Sequence, residues 1–178
     1  MPAAAIAILK AYFRICLFRG EPREMPAATA FLVFSAGLYT LAGMLLVLVY
    51  QSLSAAVLSA LLETALLLGV IWLLLAAFRL QSRFNQTASA LTGSGFLFSL
   101  FSLPLFLLRP WEGDAGGSPL LALVSLALLF LFGWNIAVIG HILRHALSTR
   151  FAAGILLAIG YVWLITAALG FFIPETLT

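Results

Sequence analysis

The chain is short of charge. Only 8% of its 178 residues are Asp, Glu, Lys or Arg, against about 25% in an ordinary soluble domain. A chain so poor in polar surface is not built to stay dissolved, and composition alone points to an integral membrane protein. Cys16 is the single cysteine, so an internal disulfide is excluded and the redox compartment is not readable. Several catalytic signatures are missing: GxSxG, HExxH, a phosphate-cradling glycine loop, and paired aspartates able to hold magnesium for lipid-phosphate transfer. There is no soluble basic face, which leaves nucleic-acid binding unsupported. Residues 1–19 mix apolar and basic positions and lack a clean apolar core before a small-residue cleavage site, so no cleavable signal is expected. The expectation is a non-enzymatic protein without a cofactor or metal.

What the chain has is apolar length. Hydrophobic residues make up 64% of it. A helix needs about 20 apolar residues to cross some 30 Å of hydrocarbon. Five such runs appear, at about 27–50, 55–78, 88–108, 119–142 and 151–173. The breaks between them, QSLS, RLQSRFNQ, RPWEGDAGGS and RHALSTR, carry turn or charge signals. Pro119 after Ser118 reads as a capped helix start, and Pro174 after Ile173 as a stop. In the third run two glycines near the start and Pro104 inside predict a kink or a frayed first turn, and a re-entrant segment is an alternative. The fold class is all-α: a polytopic membrane protein of five transmembrane helices, residues 26–178, preceded by an N-terminal segment, residues 1–25.

Orientation follows from the basic residues. Lys10, Arg14, Arg19 and Arg23 precede the first span. Arg79 and Arg83 lie between the second and third, and Arg144 and Arg150 between the fourth and fifth. The other side holds Arg109, with Glu112, Asp114 and Glu175. Five spans put eight of nine basic residues on one side, and one span more or fewer would scatter them. The N-terminus is therefore expected in the cytoplasm, the C-terminus in the periplasm, and the setting is a bacterial inner membrane.

Residues 2–19 are too basic for a sixth span. Ala3, Ala7, Lys10 and Arg14 share one stripe at helical spacing, and Ile6, Leu9, Tyr12, Phe13, Cys16 and Leu17 cover the rest. This predicts an amphipathic helix in the interface, with Lys10 and Arg14 toward phosphates or a partner.

Glu63 is the outlier. It lies nine residues into the second span, roughly 12–14 Å deep. An acidic side chain there costs about 2.5–3.5 kcal/mol on insertion scales. It must be neutral or face donors inside the bundle, as a functional carboxylate or as a structural knot. Donors expected at similar depth are Asn135, Trp134, Ser125, Thr166 and Tyr161, with Asn135 the leading choice because its amide also needs a partner. In the fourth span His141 and His145 share a face beside Arg144. Apart from Glu21 and Glu24 no cysteine or carboxylate on that side offers the further ligands zinc needs, and the pair reads as interfacial or, with Arg144 and Arg150, as a headgroup-binding cluster. RFNQTASALTGSG gathers small and hydroxyl residues, the pattern of close helix packing; a polar path into the membrane is the alternative.

Five spans with TASALTGSG opening the third and WNIAVIGHILRHALSTRFAAGILLAI joining the fourth to the fifth resemble the Yip (Ypt-interacting protein) family. The matching features are Trp134, Gly140, the basic turn at Ser148, and Ala152 with Gly154, and the resemblance covers about residues 26–173. Its eukaryotic members carry a long cytoplasmic segment and are linked to small GTPases and membrane trafficking. This chain has only the short helix there, which argues against carrying GTPase binding over. The resemblance implies a non-enzymatic scaffold or adaptor that works through lipids, a protein partner or a homo-oligomer. The alternative is a small oligomeric transporter or lipid translocator with Glu63 as a protonatable group.

Overall fold

The structure, a computed structural model, describes residues 2–108 and 119–172, with side chains from residue 6 to residue 171. Arg109, Glu112, Asp114, the Ser118 cap, Pro174 and Glu175 lie outside the described residues. Six α-helices account for nearly all of the rest: α1 Pro2–Cys16, α2 Thr29–Val47, α3 Leu53–Ala77, α4 Phe84–Leu107, α5 Pro119–Leu147 and α6 Phe151–Phe172. Single 3-10 turns at Pro22–Glu24 and Gln81–Arg83 precede α2 and α4. The helices α2 to α6 are each long and apolar enough to cross a membrane. The chain is an all-α polytopic membrane protein.

The helices do not end where the apolar runs end. The fourth extends past Ile142 to Leu147, and the third begins at Phe84 rather than Ala88. Hydrocarbon thickness limits an apolar stretch, whereas backbone hydrogen bonding carries a helix on through polar residues. The first turn of α4 is not frayed. The helix runs unbroken through both glycines and Pro104 for 24 residues, ample for a full crossing.

The helix α4 is the central column. Every residue from Thr87 to Ser94 is buried, so this stretch is enclosed on all sides. Its residues are small because neighbours press close, as expected where helices associate by packing rather than by the hydrophobic effect. Helix α2 lies along it, with Thr92 Oγ1 donating to Ser35 Oγ at 2.9 Å. A Cβ on Gly93 would overlap the Tyr12 ring, and one on Gly95 would lie 2.6 Å from the Tyr39 ring. The hairpin of α5 and α6 closes in the same manner, since a Cβ on Gly154 would meet the Gly140 carbonyl.

Three helices at one end of the bundle terminate alike. Phe18, Arg79 and Ser148 each adopt a left-handed backbone, with φ of 59°, 57° and 56°. The next amide in each case reaches back five residues: Arg19 to Arg14, Leu80 to Leu75 and Thr149 to Arg144. That bond closes a Schellman-type end, which normally uses glycine at the left-handed position. These are the basic breaks of the sequence, so the arginine-rich turns share one end.

Helix α1 has three faces. Ile8, Ala11, Tyr12, Ile15 and Cys16 pack on the bundle. Ile6, Leu9, Phe13 and Leu17 stay exposed. Lys10 and Arg14 form the polar third. The apolar surface expected to face lipid is thus divided between lipid-like exposure and protein contact. Burial pushes the Tyr12 phenol up to about 12 and the Cys16 thiol up to about 11.

Candidate functional site

Two polar regions stand out, one inside the bundle and one at its basic end. Inside, Tyr39 on α2 donates its hydroxyl to Glu63 Oε1 on α3 at 2.5 Å. One residue further along both helices, Thr40 and Thr64 share a hydrogen bond at 2.8 Å. Asn135, the expected partner of Glu63, does not bond it. It lines the same cavity instead, with no hydrogen-bond partner among the described residues. Tyr161 and Thr166 line it too, Tyr161 facing Tyr39 and Glu63. Trp134 is engaged elsewhere, donating to the Cys16 carbonyl at 2.8 Å, and Ser125 faces outward.

Tyr39 was missed by sequence reasoning, yet a signal existed. The α2–α3 hairpin turns at Gln51. Tyr39 and Glu63 each lie twelve positions from it, so antiparallel helices place them at one depth. Thr40 and Thr64 lie eleven and thirteen positions from Gln51, close enough to the same depth to bond as well.

The cavity around this pair measures about 570 Å³. It begins beside Leu91 and Ile139 and reaches Phe106 and Leu128, about 22 Å along α4 at 1.5 Å per residue. Aromatic rings supply much of the wall, and serines 94, 99 and 102 dot it with hydroxyls. Glu63 is the only acidic side chain among the described lining residues, and none of them is basic. Its Oε2 receives no hydrogen bond from any described residue.

At the basic end, the segment between α1 and α2 is stitched down through its backbone. A ring nitrogen of His141 meets the Gly20 carbonyl at 2.9 Å. Gln86 donates to the Arg23 and Met25 carbonyls, and Asn85 to Ala27. Arg83 donates to the Ala146 carbonyl at 2.8 Å and to Ser148 Oγ at 3.1 Å. Two ion pairs complete the surface, Arg14 with Glu24 at 3.3 Å and His145 with Glu21 at 3.6 Å. Such exposed pairs contribute under about 1 kcal/mol each. The buried bond from His141 to Gly20 carries more weight.

His141 is a correction to the sequence reading. It is 1% exposed and cannot meet headgroups; its ring sits against Phe18 and 4.7 Å from the His145 ring. The sequence places it near the end of an apolar run, but α5 continues past it and α1's connection covers it. Arg144, His145 and Arg150 do come together, with Arg23 as a fourth base, around an open cleft of about 550 Å³. Arg144 lies 5.4 Å above the Phe151 ring, and its Nε is buried with no hydrogen-bond partner. Glu21, Ser148 and Thr149 complete the lining. Lys10 does not line the cleft, and Arg14 joins this end through Glu24. Among the described residues no three of His, Cys, Asp or Glu gather as a metal site.

Compared with family models, curated proteins and solved structures, the chain matches none.

Proposed function

We propose that the chain is a non-enzymatic scaffold or adaptor of Yip type in a bacterial inner membrane, acting through anionic lipids and a protein partner at its cytoplasmic end. The observation that carries this reading is the basic cleft. Two stretches far apart in sequence build it: the link before α2, and the end of α5 with the turn that leads into α6. Arg23, Arg144 and Arg150 supply fixed positive charge, and Ser148 and Thr149 supply hydroxyls. That set suits a phosphate at headgroup depth, and the arginine bias puts this end inside. Native mass spectrometry of the purified chain with phosphatidylglycerol and phosphatidylcholine tests it. Retention of the anionic lipid, lost in the double variant Arg144→Gln/Arg150→Gln, is expected. Equal retention of both lipids would remove the reading.

The cavity at Glu63 supports a second reading, a small oligomeric transporter or lipid translocator. Glu63→Gln keeps the shape and removes the charge. Flux into liposomes that is unchanged by this substitution across pH would end it.

A further inference from the structure

The intramembrane cavity has walls, a charge and spare hydrogen-bonding capacity, and together these narrow what it takes. A neutral apolar guest would leave Glu63 Oε2 and the Asn135 amide unmatched in a low-dielectric site. An anion would find a carboxyl and no basic side chain among the described lining residues. A bare inorganic cation needs a close shell of oxygens, and about 570 Å³ of mostly aromatic and aliphatic wall is too wide for that. The volume falls within the range of pockets that enclose organic ligands.

We propose that this cavity binds a lipophilic organic monocation, such as a quaternary ammonium or phosphonium with apolar arms, its charge at Glu63 and its arms among the aromatic rings. Glu63 supplies the counter-charge, and Tyr39 keeps it aimed by holding Oε1 at 2.5 Å. Gly95 admits the Tyr39 ring to that position. Tyr161, Phe98, Phe106 and Phe132 bring aromatic rings to the wall, the kind of surface that attracts a diffuse cation. Such a cation is weakly hydrated, so entering the apolar part of the site costs it little. The inference goes beyond both readings above, because a site that only binds requires neither transport nor a protein partner.

The test is equilibrium binding of radiolabelled tetraphenylphosphonium to the full chain in detergent, with radiolabelled tetraphenylborate, of equal shape and opposite charge, titrated in separate samples. Saturable binding of the phosphonium is expected, weakened at least tenfold by Glu63→Gln, with no saturable binding of tetraphenylborate. Ser102→Trp, which fills the cavity away from the carboxylate, should abolish binding with Glu63 intact; it covers the case in which Glu63→Gln fails to fold. Absence of saturable phosphonium binding, binding indifferent to both variants, or equally tight binding of tetraphenylborate would each overturn the proposal.

Discussion

The two polar regions differ in what their side chains bond rather than in whether every group is paired, since His141 Nδ1 and Arg144 Nε at the basic end also lack a partner. At the basic end, side chains of α4 and α5 reach across to bare carbonyls of the link before α2: His141 to Gly20, Gln86 to Arg23 and Met25, Asn85 to Ala27. In the middle of the bundle, Glu63 has one hydrogen-bond donor for two oxygens, and Asn135 has no partner among the described residues. The first arrangement holds a connection in place. The second keeps polar capacity open inside an apolar body, where leaving it unused costs stability. That contrast separates polar groups spent on backbone carbonyls from polar groups left facing a cavity.

Substitutions can break or sharpen the comparison. The largest effect tests the frame that both regions share. Gly154→Leu drives a side chain into the Gly140 carbonyl, and should lower stability by about 3 kcal/mol or more. Loss of a monodisperse peak in detergent size exclusion would report it. His141→Ala removes a buried bond to Gly20 and should cost about 2–4 kcal/mol, read as a lower thermal midpoint in detergent. Asn135→Leu should have the opposite sign, raising stability by about 1 kcal/mol, because no protein hydrogen bond is lost and an unmatched amide is removed. If Asn135→Leu destabilised as much as His141→Ala, the contrast would collapse. The smallest effect is at a helix end: Arg79→Gly relieves a left-handed residue that bears a Cβ and should add up to about 1 kcal/mol. A chemical probe complements these. Cys16 is buried, and its thiol is raised to about 11, so little thiolate exists at pH 8. Maleimide labelling should be slow there and become rapid only on unfolding.

Much of this was open to reading before any coordinates. The glycines and hydroxyls of TASALTGSG announce close packing, and α4 is the buried column they suggest. Glu63 announces a polar cluster, and the residues expected near it, Asn135, Tyr161 and Thr166, do line one cavity with it. The bonded partner was not foreseen, although reflection about the Gln51 turn pairs Tyr39 with Glu63. His141 was misplaced for a different reason. Its burial depends on a connection more than a hundred residues earlier in the chain, and no local pattern encodes that meeting.

The count of membrane passes follows from the sequence by itself. Transfer from water to hydrocarbon is close to additive over residues, so each apolar run declares itself without reference to the others. Rotation and crossing of the helices are not additive. They rest on which small residues let backbones approach, as Gly140 and Gly154 do, and on which side chains then meet. Only the tertiary structure could therefore decide that Tyr39 holds Glu63, that α1 divides its apolar surface in two, and that a cavity stays open between them.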